Sequence, residues 1–180
     1  MTGVTIRSED PFATPDDARS PVRRLRGRLP AAVTLWATGT EERAGLTMSS
    51  TVVVDGEPGR LLGVVDEEST LWERLRETGR FTVVPLRESD RQLADVFAGV
   101  MPAPGGPFAG RSWRDTGFGP VLEGIGTWVG CRLDQARPLG WGLLVEATIE
   151  QIELAGDDVP GLIHYRGRYL SGPSTPRAGR

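Results

Sequence analysis

The stretch Gly45-Leu46-Thr47-Met48-Ser49-Ser50-Thr51 most constrains what this chain can fold into. An apolar run from Ala31 to Ala37 and a polar turn from Thr38 to Arg43 precede it, and Thr51-Val52-Val53-Val54 follows directly. Apolar, β-branched runs on either side of a short polar turn predict two antiparallel strands. The second opens on a row of small hydroxyl side chains and closely approachable backbone. Such a surface suits a flat ligand with polar edges. An ordinary strand start also accounts for it, because hydroxyl residues are common wherever strands meet turns.

Beyond this hairpin, short strand-like runs recur with two helical patterns between them. Asp55-Gly56-Glu57-Pro58-Gly59 is a turn, and Leu61-Leu62-Gly63-Val64-Val65 a buried strand. Thr70-Leu71-Trp72-Glu73 has capping-box spacing, and Leu71 with Leu75 gives the following helix an apolar side that ends near Gly79. Ser69 and Thr70 would then present amides and hydroxyls at a helix N-terminus, either as a plain cap or as a seat for a phosphate. Phe81 to Val84 is a strand stopped by Pro85, and Ser89 or Asp90 caps a second helix with Leu93, Val96 and Phe97 on one face. Met101 to Arg111 is a Gly/Pro-rich loop that either covers a site or is free. Three strands are expected to complete the sheet, at residues 126–133, 142 to about 154, and 162–169. The middle one should bend, since a straight strand of that length outruns its partners.

Ahead of the hairpin, Asp16 and Asp17 are candidate caps for a short helix towards Arg28, after which Pro30 turns the chain into strand. Residues 1–16 and 171–180 are expected to be disordered, with one domain over 17–170. A chain of 180 residues fits a single core, and its apolar and charged fractions, 38% and 25%, are those of globular proteins.

Net charge of −3 provides no global field for nucleic acid or an anionic membrane. The arginines from Arg19 to Arg28 lack interleaved aromatics and fit a solvated helix face, with phosphate or partner binding as the other reading. No apolar stretch approaches the roughly 20 residues of a membrane helix. One cysteine, Cys131 in an apolar run, and one histidine exclude an internal disulfide and a Cys/His zinc cluster, which suits a reducing cytoplasm. The glycines form no dinucleotide-binding, phosphate-loop or nucleophile-elbow motif, which argues against Rossmann and hydrolytic-triad chemistry.

An isoalloxazine ring presents carbonyl oxygens and an N–H along one edge, and main-chain groups flanked by Thr, Ser and Gly can satisfy them. The order and spacing of several strings resemble the flavin reductase family built on the FMN-binding split barrel, from about Pro30 to Tyr169. They are Pro30-Ala-Ala-Val-Thr, Gly45-Leu-Thr-Met-Ser-Ser, Leu75-Arg-Glu-Thr-Gly-Arg-Phe81, Leu93-Ala-Asp-Val-Phe-Ala-Gly99, Pro107-Phe-Ala-Gly110 with Trp113, Pro120-Val-Leu-Glu-Gly124, and Tyr165-Arg-Gly-Arg-Tyr169.

The resemblance implies a mainly β split barrel with peripheral helices. It implies flavin contacts from Gly45, Leu46, Thr47, Met48, Ser49 and Ser50, from Val64, Val65 and Asp66 against the ring, and from Ser69 and Thr70 at the phosphate. Val96 and Phe97 are expected to close over the flavin, and Leu162, Ile163, His164 and Tyr165 to meet the nicotinamide cofactor. It further implies a homodimer and hydride transfer from NADH or NADPH to FMN or FAD, with a monooxygenase as partner for the reduced flavin.

His164 either contacts the dinucleotide or stabilises reduced flavin electrostatically, or is a strand histidine at the dimer contact. Three departures stand out: Gly140-Trp141-Gly142 where many members carry Gly-Asp-His, Val84 where an Asn is common, and Leu71 where a Thr is frequent. Trp141 is then either a stacking residue for nicotinamide or a core aromatic. A flavin-binding protein without reductase activity, and a split barrel using haem or a deazaflavin, are the alternative readings.

Overall fold

The computed structural model describes residues 20–156 and 159–173. A seven-stranded antiparallel sheet forms the body of the protein, in the order β3 (Ala44–Met48), β2 (Thr34–Thr38), β6 (Arg80–Pro85), β9 (Trp128–Leu139), β10 (Gly142–Glu153), β5 (Arg60–Val65) and β4 (Thr51–Val54). Its outermost strands, β3 and β4, are consecutive in the chain and joined only by Ser49 and Ser50. The sheet therefore curls back on itself as a half-barrel.

Side chains, not a backbone ladder, bridge the seam. Trp36 Nε1 donates to Thr51 Oγ1 at 3.0 Å, and Thr34 Oγ1 lies 2.8 Å from Thr51 Oγ1 and donates to the Met48 carbonyl at 3.2 Å. The expected second strand is thus two strands broken at Ser49-Ser50, because each half pairs with a different neighbour.

Inside the curl, Trp36 stacks on Phe81 with ring centroids 4.7 Å apart, packed with Met48, Leu61, Val65, Val83, Cys131, Val145 and Ala147. Gly63 makes room for this: a Cβ there would lie 2.5 Å from Trp36 Cη2. Helix α2 (Thr70–Thr78) closes the same core with Leu71 and Leu75, both fully buried. It ends where expected, on Gly79 at φ 66°, whose N–H reaches the Leu75 carbonyl. Its cap, however, is Ser69, whose hydroxyl accepts from Trp72 N–H, so the cap lies one residue before the expected Thr70.

A second core lies outside the sheet under helix α3 (Arg91–Phe97) and the hairpin β7 (Trp113–Thr116) and β8 (Gly119–Leu122). Asp90 holds the N-cap position of α3, yet its buried carboxylate turns back to accept from Arg87 N–H and Nε, each at 3.0 Å. The Met101–Arg111 loop is pinned through Phe108, which packs edge-on against Phe97 and Trp113.

The 162–169 strand is in fact a hairpin, β11 (Leu162–Tyr165) and β12 (Arg168–Ser171). It turns on Arg166 and Gly167 at φ 50° and 75°, the backbone a two-residue type I′ turn demands. With β1 (Ala31–Ala32) it forms a separate three-stranded sheet, so it does not complete the barrel as expected. Val33, between β1 and β2, ties the two sheets through its N–H to the Leu162 carbonyl.

Strands β9 and β10 do bend, through register shifts that leave Asp134 and Glu150 unpaired. Both bulged carboxylates meet arginines on the outer face: Arg132 bridges the two at 2.7 Å each, Arg60 pairs with Asp134, and Arg80 with Glu150.

Helix α1 (Pro21–Gly27) is capped by Ser20 and buries nothing, as a solvated arginine-bearing face requires. The candidate caps Asp16 and Asp17, the 1–16 segment, and the tail beyond residue 173 lie outside the described residues. Ser171 itself closes β12.

Candidate functional site

One end of the half-barrel gathers most of the predicted residues. Strand pairing sets Thr34 opposite Met48 and Thr51 opposite Gly63, and Leu143 opposite Val65. The β3–β4 junction, the end of β5, the start of β10 and the N-terminus of α2 therefore share this end. Ser50 fastens two of them: its hydroxyl donates to the Val64 carbonyl at 3.0 Å and accepts from Val64 N–H at 3.2 Å.

Within this cluster the side chains divide by task. Leu46 and Met48 point into the inner core. Gly45 and Thr47 face α3: a Cβ on Gly45 would lie 2.7 Å from Phe97 Cε1, and Thr47 Oγ1 donates to the Ala94 carbonyl at 2.8 Å. Phe97 is buried in the outer core, and Val96 packs against that core half-exposed. Gly45, Thr47 and Phe97 thus set the position of strand β3 from behind. Val65 is buried, whereas Val64 exposes 38% of its surface beside Ser50.

Helix α2 begins at the same end. Ser69 Oγ donates to the Asp66 carbonyl at 2.6 Å, and Ser69 N–H reaches the same carbonyl at 3.0 Å. Trp72 N–H is satisfied by the cap and Glu73 N–H by the Ser69 carbonyl. The N–H groups of Thr70 and Leu71 are left without acceptors among the described residues, as first-turn amides are. Ser49, with its hydroxyl and main-chain N–H, and the N–H of Ser50 likewise have no partner there.

This donor set fits a ligand with a polar ring edge and an anionic tail. Electrostatics at the tail end are mixed, since a pocket of about 280 Å³ beside the α2 N-terminus is lined by Glu67, Glu68, Ser69, Trp72, Glu73 and Arg76. A larger concavity, about 680 Å³ over Gly110–Ser112 and Leu122–Gly124, includes none of the predicted residues.

Leu162, Ile163, His164 and Tyr165 stand apart, on the three-stranded sheet alongside β1. Leu162 is buried in the outer core, and His164 lies opposite Ala31 with its ring 5.9 Å from that of Tyr169. Burial, and then the Arg26 charge, lower the His164 pKa below its ordinary 6.5. The imidazole is consequently neutral at pH 7, able to hydrogen-bond but offering no cation. Cys131 is inert: burial first, then Asp134 and Glu150, push its thiol up to about 12. No group of metal-ligating side chains exists among the described residues, nor any helix long and apolar enough to cross a membrane.

Two features escaped sequence reasoning. The β7–β8 hairpin was unassigned, although Thr116 and Gly119 flank a Gly-Phe pair that signals a turn. Trp141 is no core aromatic; it is fully exposed at the β9–β10 tip, and the flanking Gly140 and Gly142 were the available sign of a tight turn.

Known proteins place the chain. The family described as "Flavin reductase like domain" matches residues 26–173. The FMN reductase (NADH) RutF of Methylorubrum extorquens strain DM4 is 30% identical over 181 residues, covering 99% of this chain and 86% of that protein. The reductase subunit HsaB of a flavin-dependent monooxygenase from Mycobacterium tuberculosis is 25% identical over 82% of this chain and 79% of its own length. Among solved structures, the Streptomyces globisporus C-1027 NADH:FAD oxidoreductase SgcE6, in complex with NAD and FAD fragments, superposes with a TM-score of 0.76 at 21% identity, covering 88% of this chain and 93% of the other. With its split half-barrel and the match over residues 26–173, this chain belongs to the flavin reductase family.

Proposed function

We propose that the protein is an NAD(P)H:flavin oxidoreductase that binds FMN or FAD at the Ser49–Ser50 end of the half-barrel and passes reduced flavin to a monooxygenase. The observation that carries this reading is the convergence there of unpartnered donors: Ser49, the Ser50 N–H and the α2 amides of Thr70 and Leu71. Flavin, when bound, supplies the hydride-accepting chemistry.

The chain's own work is placement. Main-chain groups of Met48 to Ser50 meet the ring edge, Val64 and Asp66 its face with buried Val65 behind them, and the amides of Thr70 and Leu71 the phosphate side, with Ser69 holding that turn as its cap. Gly45, Leu46, Thr47, Val96 and Phe97 hold β3 in position for this. Ile163, His164 and Tyr165, on the separate three-stranded sheet, are the segment assigned in this reading to nicotinamide, with Leu162 buried in the outer core behind them. Holding two rings with reacting atoms about 3 to 3.5 Å apart contributes most of what such a reaction requires, which is why no acid/base pair is needed.

The homodimer belongs to the same proposal, supported by β4, a sheet-edge strand exposing Val52, Val53 and Val54 in succession. So does a cytoplasmic location, for which the single unpaired, buried cysteine is suited.

Purified protein mixed with FMN or FAD should accelerate oxidation of NADH or NADPH, followed at the dinucleotide absorption band. Flavin binding without consumption of either dinucleotide would contradict the enzyme and support a second reading, a flavin-binding protein without turnover. Replacement of Gly-Asp-His by Gly140-Trp141-Gly142 is the observation favouring that second reading.

A further inference from the structure

Trp141 is the most exposed large apolar residue among the described residues, at 104% of its reference surface. Tryptophan is highly buried on average, so a fully solvated indole held in a fixed place calls for a partner. Its place is fixed from both sides. Leu139 pairs with Gly142, leaving a loop of only Gly140 and Trp141, and Gly140 at φ 60° matches the first central position of a type II′ turn. Gly142 then runs so close to β5 that a Cβ there would lie 2.7 Å from the Val65 carbonyl oxygen and 3.2 Å from Val64 Cγ1. The hairpin tip is thereby pressed against Val64, the exposed residue that Ser50 clamps.

Among the described residues no ring, hydrogen bond or ion pair engages the Trp141 indole. An electron-rich aromatic face thus projects from the end of the half-barrel on the β10 side of Val64, whose β4 side carries Ser50.

We propose that Trp141 is a stacking residue for the flavin, covering the isoalloxazine ring from the β9–β10 tip while β3 and the Ser49–Ser50 junction hold its edge. This rests on the functional reading above. Oxidised isoalloxazine is electron-poor and reduced isoalloxazine electron-rich, so an indole face holds the oxidised ring more tightly. The tip therefore favours capture of oxidised flavin and departure of reduced flavin.

The test is a titration of oxidised riboflavin and FMN, read by flavin fluorescence, with wild type, Trp141→Ala and Trp141→Phe. Wild type should quench the bound flavin. Trp141→Ala should relieve the quenching and weaken both ligands about three- to tenfold, the range of one aromatic pair, and Trp141→Phe should fall between. Iodide quenching of tryptophan emission without flavin should show an accessible component that Trp141→Phe removes.

Equal affinity and equal quenching in Trp141→Ala and wild type would overturn the assignment while leaving the flavin site standing. A Trp141 component shielded from iodide would overturn it as well, indicating that a second copy of the chain covers the tip. Failure of wild type to bind any flavin would instead bring down the functional reading, and this inference with it.

Discussion

Three hydroxyls at the half-barrel end, on Thr47, Ser50 and Ser69, are committed to the Ala94, Val64 and Asp66 carbonyls, which leaves Ser49 and four main-chain amides without partners among the described residues. Beside the α2 amides proposed to take the phosphate, Glu67 lines a pocket. Neutralising it as Glu67→Gln should tighten FMN binding about two- to fivefold at low salt, the worth of one exposed charge, and leave riboflavin, which has no phosphate, unchanged. Equal effects on both ligands would place the phosphate elsewhere. At His164 the sign follows from the lowered pKa. The folded chain binds this proton less readily than the unfolded chain, whose histidine titrates near 6.5, so the stability it contributes is full above that value and is lost as pH falls through the folded one. Melting temperatures from pH 7.5 to 5 should decline less steeply for His164→Gln than for wild type, and parallel curves would contradict this.

Strand β5 and the core it closes show how tightly the elements are matched. Because Gly63 admits the Trp36 ring, Gly63→Ala should destabilise the protein by about 1 to 3 kcal/mol in urea unfolding, the usual cost of overpacking. An unchanged midpoint would mean that Trp36 moves aside freely. Elements of this kind were legible where local chemistry alone decides them: the β2–β3 hairpin from its polar turn, the end of α2 from Gly79, the bend of β10 from its length. Others depend on partners far along the chain. That β3 and β4 part at Ser49-Ser50 is set by β2 on one side and β5 on the other, and that β11 leaves the barrel is set by Ala31 and Ala32. Period-two patterning marks a strand but does not say which sheet receives it. The hairpin in Tyr165-Arg166-Gly167-Arg168 was readable from Arg-Gly only by allowing an arginine at positive φ, which few non-glycine residues adopt.

Across the whole molecule, the two cores divide the labour. The inner one, with Trp36 and Phe81, fixes the curl of the sheet, and the outer one, with Phe97, Phe108 and Trp113, presses α3 onto β3. Between them the β3–β4 junction is held still without being covered, which is what a ligand site on a split barrel needs. Accessible main-chain groups at that junction were legible from Ser49 and Ser50, because small residues there leave the backbone open. The positions of Trp141 and of the committed hydroxyls were not legible in the sequence, since both follow from cross-strand register. Backbone hydrogen exchange with and without FMN tests the central claim most directly. FMN should slow exchange at residues 48–50, 64–66 and 69–71 together. Unchanged exchange there, with protection confined to residues 110–124 or to another surface, would contradict it.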